Sequence, residues 1–208
     1  MSNPLNPSPR SPAIAAALFD FDGTLVDTMP LHFQAYREVL AAVDIELTSE
    51  DFFPNIGGNA RETIPKFLRG RPCALSVSEI HARKKMRIGE LLAEGPVTVL
   101  ETAKLLDAFS GHLAMGLVSS GSRPGIDVVL DRLNWRWHFG TIVTGEDAVN
   151  GKPAPDLFLL AASRLGVSPE RCIAFEDTDA GIAAANRAGM QAFDVRRTEA
   201  PSSRKRCG

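Results

Sequence analysis

Two aspartates two residues apart, Asp20 and Asp22, close a small apolar run and are followed by Gly23 and Thr24. Carboxylates that near to one another crowd their negative charge, and a divalent cation between them relieves it. One can then attack an electrophile while the other handles a proton. Three further clusters supply complementary groups. Ser119-Ser120-Gly121-Ser122 offers hydroxyls and backbone N–H groups that can hold anionic oxygens. In Gly151-Lys152-Pro153-Ala154-Pro155 a stiff proline frame can fix an ammonium over an anion. Glu176-Asp177 adds two carboxylates ahead of Thr178 and Gly181. Each has a plain structural reading alone: turn formers, a solvated lysine, acids complementing a helix N-terminus. Together they provide a nucleophile, a hydroxyl, a cation and extra metal-ligating carboxylates.

Such groups need a scaffold that brings them to one edge. Residues 13–21 read as a buried strand delivering Asp20 and Asp22 at its end. From about residue 100 the pattern alternates between strand candidates (113–118, 141–143, 172–175, 192–195) and helix candidates (123–133, 155–165, 180–188). That alternation predicts a parallel sheet covered by helices, the 13–21 strand among its members. All four clusters then fall at carboxyl ends of strands, where open α/β sheets bind ligands. Residues 29–97 read as mainly helical, with a stripe of Leu31, Ala35, Val39 and Val43, a breaker at 55–59, and a later helix carrying Ile80, Met86, Ile88, Leu91 and Leu92. The expected organisation is an α/β core (13–28 and 98–198) interrupted after its first strand by a helical insert (29–97). Tails at 1–12 and 199–208 are expected to be disordered or solvated.

Composition narrows the partners. The 208 residues carry a formal net charge of -2, which argues against a nucleic-acid or membrane surface. No apolar run approaches the ~20 residues a spanning helix needs. Three scattered cysteines, Cys73, Cys172 and Cys207, fit a reduced cytosol, so a cytoplasmic location is expected. Rival motifs fail on spacing. Gly145 to Gly151-Lys152 has one residue too many for a Walker loop, and Pro153 replaces its Ser/Thr. An EF-hand opening at Asp20 puts Leu31 where the bidentate glutamate belongs. His32, His81, His112 and His138 lack zinc-ligand spacing.

The four clusters, with Asp27-Thr28 after the first and Ala-Gly-Ile and Ala-Ala-Asn-Arg-Ala-Gly-Met after the last, resemble the four motifs of the haloacid dehalogenase-like hydrolase superfamily. Within it the chain is similar to the β-phosphoglucomutase-like branch and its small sugar-phosphate phosphatases. The resemblance implies a Rossmann-like core with a helical cap, and a Mg2+-dependent phosphatase of a small phosphorylated metabolite. It implies Asp20 as nucleophile, Asp22 as acid and base, and Ser119 and Lys152 as phosphoryl holders. Mg2+ would sit between the Asp20 carboxylate, the Asp22 backbone carbonyl and Asp177, with Glu176 as ligand or support. Substrate contacts are expected from Thr24, Ser120 and Gly121 in the core and from His32, Gly58, Arg61 and Lys85 in the cap. Lys84 and Lys85 are not separable on this basis, and Lys85 is favoured. The carboxylate at Asp22 favours phosphate esters over carbon–halogen or carbon–phosphorus bonds. A phosphomutase remains the alternative, and a silent binding protein a third reading. A monomer is the default for a capped core of this size.

Overall fold

The computed structural model describes residues 12–55 and 60–197. In chain order its elements are β1 (Ala16–Phe19), β2 (Val26–Asp27), α1 (Met29–Ala41), α2 (Ser49–Phe52), α3 (Ala60–Leu68), α4 (Val77–Glu94), β3 (Thr98–Val99) and α5 (Lys104–Phe109). Then follow β4 (Ala114–Val118), α6 (Arg123–Arg132), β5 (Thr141–Val143), α7 (Asp156–Leu165), β6 (Cys172–Glu176), α8 (Asp179–Arg187) and β7 (Gln191–Asp194). Short 3-10 turns join several of them.

Five strands form one parallel sheet in the order β5-β4-β1-β6-β7. Central β1 is apolar and fully buried because helices cover both faces, as a parallel strand requires. Alternate side chains divide between two cores. Ala17, Phe19, Met115, Leu117 and Phe175 face α5 and α6, with Phe19 stacked on Phe175 at 4.9 Å between ring centroids. Ala16, Leu18, Val118 and Ala174 face α7 and α8 through Phe158, Ala161 and Ala184. The register sets Phe19 opposite both Leu117 and Phe175, so the chain leaves β1, β4 and β6 at one level of one edge.

Helices α1 to α4 enter and leave through the two-residue antiparallel pair β2–β3, where Asp27 faces Thr98. Their own core gathers Tyr36, Leu40, Phe52, Ile64, Phe67 and Ile80. The same two long helices also reach the main core, α1 through Leu31 and Ala35, α4 through Ile88, Leu91 and Leu92. Ser76 and Glu79 cap α4 reciprocally, which fixes where that helix starts. Arg132 of α6 donates to the carbonyls of Leu92 and Gly95 and so holds its other end.

The expected strands and helices of the alternating half all appear, within two residues at each end. The first strand is shorter than its apolar run, Ala16–Phe19 rather than 13–21. Helix α5 and the β2–β3 pair have no counterpart in the sequence reading.

Candidate active site

Asp20 stands directly after β1, its backbone N–H bonded to the Phe175 carbonyl at 3.0 Å. The residue is buried. Lys152 reaches it from the β5–α7 loop, Nζ donating to Asp20 Oδ1 at 2.6 Å, Glu176 Oε1 at 2.5 Å and the Val118 carbonyl at 2.9 Å. Those three acceptors hold the ammonium beside the Asp20 carboxylate. Glu176, at the end of β6, is fully buried. Its second oxygen accepts from the Asp177 and Thr178 backbone N–H groups, both at 3.1 Å, and from the Thr178 hydroxyl at 3.0 Å. Thr178 Oγ1 in turn caps α8 by accepting from Gly181 N–H.

Carboxylate oxygens of Asp20, Glu176 and Asp177 lie within 4.8 Å of one another. Three acids against one ammonium leave an excess of negative charge. Burial raises the Asp20 carboxyl well above its ordinary range, Lys152 opposing and Glu176 and Asp177 adding to the shift. Asp177 is pushed up to about 6 by burial and by Glu176. Burial works against the charge of Lys152, yet Asp20 and Glu176 raise it. The lysine is therefore charged and shared between the two acids.

The donor set fits Mg2+. Hard carboxylate oxygens are its preferred ligands, and Asp177 Oδ1 is buried without a hydrogen-bond partner among the described residues. Glu176 has both oxygens engaged, one by Lys152 and the other by Thr178. Two glycines make the packing possible. Gly23 has φ +85, and a Cβ there would stand 2.1 Å from Asp177 Oδ2. A Cβ at Gly181 would meet the Glu176 carboxyl at 1.9 Å.

Asp22 is kept apart from this acidic group. Thr28, at the start of α1, donates its hydroxyl to Asp22 Oδ1 instead of capping its own helix. Burial raises the Asp22 carboxyl, opposed by the hydrogen bond from Thr28. Beyond it, His32 Nδ1 lies 2.8 Å from Lys84 Nζ. Burial, then Lys84, lowers His32 to about 3, so a neutral imidazole accepts from the ammonium. Lys84 itself is lowered by burial to about 8, with Asp22 opposing.

Ser119 is buried, its N–H bonded to the Val143 carbonyl and its Oγ accepting from Gly121 N–H at 3.0 Å. Its hydroxyl proton is thereby left for another acceptor. Ser120 is exposed on the same turn and Gly121 half-buried.

The remaining expected contacts divide. Thr24 is enclosed completely, its hydroxyl without a hydrogen-bond partner among the described residues, and presents no surface to a substrate. Arg61 is exposed at the start of α3. Gly58 lies outside the described residues. Lys85 points outward to Glu146 of the β5–α7 loop, N···O 3.5 Å, and it is Lys84 that turns inward. The phase of α4 explains the exchange: Lys84 falls four residues after Ile80 and four before Ile88, on the buried stripe. That spacing was the available signal. Asp147, which joins two arginines behind the Lys152 loop, offered none.

The haloacid dehalogenase-like hydrolase family model matches residues 14–189. Fructose-1-phosphate phosphatase YqaB of Escherichia coli is 33% identical over 183 residues, 88% of this chain and 96% of that one. A phosphorylated carbohydrates phosphatase of Thermotoga maritima is 34% identical over 180 residues, covering 85% and 82%. Among solved structures, CbbY from Rhodobacter sphaeroides in complex with phosphate is similar at a TM-score of 0.77 and 32% identity, covering 86% of this chain and 84% of that one. With four strand ends meeting around Asp20 and this span of similarity, the chain belongs to the haloacid dehalogenase-like hydrolase family.

Proposed function

We propose that the protein is a Mg2+-dependent phosphatase that hydrolyses a small phosphorylated metabolite, a sugar phosphate, through an aspartyl-phosphate on Asp20. The observation that carries this reading is the contrast between two aspartates two residues apart. Asp20 sits on Lys152 inside the acidic group, while Asp22 sits on Thr28 outside it. Different surroundings divide the labour between two like groups.

An Asp20 carboxylate oxygen attacks phosphorus in line, and the bond to the ester oxygen breaks. Asp22, whose carboxyl is raised by burial, gives a proton to the leaving alkoxide. The Asp22 carboxylate then takes a proton from water, which attacks phosphorus, frees inorganic phosphate and restores Asp20. Ser119 and Lys152 hold the phosphoryl oxygens, for phosphoryl transfer asks chiefly for positioning and charge neutralisation. Mg2+ would be held by the Asp20 and Asp177 carboxylates and the Asp22 carbonyl, with Glu176 behind them, and would supply positive charge to the phosphoryl oxygens.

Helices α1 to α4 act as a cap that closes over the site and excludes water. Lys84, paired with His32, interacts through its charge with Asp22. Arg61, exposed at the start of α3, contributes a further substrate contact. The sugar phosphate is supported by the names of the two phosphatases reported above. Among the described residues no helix is long and apolar enough to cross a membrane. A second reading, a phosphomutase of the β-phosphoglucomutase type, rests on the resemblance, which puts hinge and substrate control near His32 and Lys85; of the two adjacent lysines it is Lys84 that pairs with His32.

The test is inorganic phosphate release from sugar phosphates, 2-phosphoglycolate and nucleotides with Mg2+, beside Asp20→Asn. Release that vanishes in the variant supports the phosphatase. Silence across the panel overturns it, and conversion of β-glucose 1-phosphate to glucose 6-phosphate then separates a mutase from a silent binder.

A further inference from the structure

Lys152 lies in a connection of irregular backbone between β5 and α7, yet its ammonium is held to three acceptors. Precision of that kind in a loop needs an anchor, and Asp147 supplies it. Its Oδ2 accepts from Thr144 N–H and from Thr144 Oγ1, both at 2.8 Å, and from Arg123 Nη2 at 3.2 Å. Its Oδ1 accepts from Arg164 Nη2 at 2.9 Å. Arg123 Nη2 also donates to the Ile142 carbonyl at 2.7 Å, and Arg164 Nη1 to the same carbonyl at 3.3 Å.

These partners come from three elements. Arg123 opens α6, immediately after the Ser119–Ser122 turn; Thr144 follows β5; Arg164 closes the last turn of α7. The two loops touch directly as well. Gly145 N–H donates to the Gly121 carbonyl at 3.2 Å, and a Cβ on Gly145 would stand 2.6 Å from the Ser120 carbonyl oxygen. Burial opposes charge on Asp147, but hydrogen bonds from Thr144 and Arg164 hold its carboxyl below the ordinary range, so the clamp is ionic at neutral pH.

We infer that Asp147 is a positioning residue: it fixes the loop carrying Lys152 against the turn carrying Ser119, and so sets how far apart the two grips on a phosphoryl group stand. It touches neither substrate nor the reacting atoms. The inference rests on the phosphatase reading, because the spacing of Ser119 and Lys152 matters only if both hold one phosphoryl group.

The test compares full-length Asp147→Ala and Asp147→Asn with wild type, using Asp131→Asn as a control. Asp131 also pairs with an arginine, Arg136, at the far end of α6 from Arg123. Three readouts are taken with Mg2+ present: kcat and KM on the best substrate, inhibition by inorganic phosphate, and hydrogen exchange of the 144–155 peptide. Asp147→Ala is expected to lower kcat/KM on the order of tenfold to a hundredfold, as small misplacements of holding groups do. It weakens phosphate inhibition and speeds exchange at 144–155 while β1 and β6 keep their protection. Asp147→Asn, which keeps an acceptor for Thr144 but loses the charge facing both arginines, falls between. Asp147→Ala with kcat/KM and phosphate inhibition within about twofold of wild type overturns the inference. So does a loss matched by faster exchange throughout β1 and β6, which marks general unfolding. If wild type releases phosphate from nothing, the phosphatase reading fails, and the clamp is judged by exchange alone: faster exchange confined to 144–155 supports it, unchanged exchange overturns it.

Discussion

Thr28 gives its hydroxyl proton to Asp22, six residues earlier in the chain, at the point where the backbone leaves the core for the helical insert. One residue thus opens α1 and steers the acid that sits two places beyond the nucleophile. Any tilt of α1 is transmitted to Asp22 through this bond. Replacing the hydroxyl by a methyl in Thr28→Val removes a hydrogen bond that favours the charged form, so the Asp22 carboxyl rises further. The alkaline limb of the kcat–pH profile, where Asp22 loses its proton, is expected to move to higher pH, with kcat reduced on the order of tenfold as the acid loses its orientation. An unmoved limb would show that Thr28 does not govern Asp22.

Lys152 holds the buried acids together. Asp20 and Glu176 share it, and the Glu176 side chain is wholly enclosed. Lys152→Met leaves both carboxylates without their cation, a change that costs about 3–5 kcal/mol in buried pairs. Urea unfolding in EDTA is expected to show a loss of that order at neutral pH. Because Asp20 already resists ionisation, the deficit shrinks as the pH falls and the carboxylates take up protons. A deficit that stays constant on acidification would contradict this electrostatic account.

Adjacent lysines on α4 are expected to behave differently. The Lys84 ammonium is depressed from 10.5 to about 8. Below about 8 the group is charged in the folded and the unfolded chain alike, and its desolvation penalty is fully present. Between about 8 and 10.5 only the unfolded chain carries the proton, so stability rises with pH across that window. If this ammonium also helps to hold substrate, KM increases above pH 8 as the charge is lost. Lys84→Met should raise KM and abolish both pH effects, whereas Lys85→Met, which breaks only an exposed pair with Glu146, should preserve them. The reverse pattern would assign the inward role to Lys85.

Gly23 has no tolerable replacement on two counts, its φ of +85 and the 2.1 Å approach of a Cβ to Asp177. Gly23→Ala is expected to cost more than about 1 kcal/mol of stability. Displacement of Asp177 should also raise the Mg2+ concentration needed for half-maximal activity, measured by metal titration. An unchanged metal requirement would remove Asp177 from the ligand set.

Much of this site is legible from sequence because its residues sit where element types change. Apolar runs that must be buried on both faces end abruptly at Asp20, Ser119 and Glu176, and parallel pairing then carries those ends to one edge whatever the register. Contacts without a local pattern are not legible in that way. Two-residue strands such as Val26–Asp27 and Thr98–Val99 carry too little periodicity to announce themselves. The two arginine partners of Asp147 lie 24 residues before it and 17 after it, joined only by the fold. Lys84 is an intermediate case, since the i, i+4 spacing from Ile80 marks its face only once the phase of α4 is fixed. Thr24 shows the opposite failure, a motif residue whose hydroxyl the fold buries entirely.

The central claim is that Asp20 becomes covalently phosphorylated. A rapid acid quench of wild-type protein with a turned-over sugar phosphate and Mg2+, followed by peptide mass analysis, tests it most directly. A phosphate increment on the peptide containing Asp20, present during turnover and lost when substrate is exhausted, is the predicted result. Turnover with no increment on that peptide, or phosphate release that persists in Asp20→Asn, would contradict it.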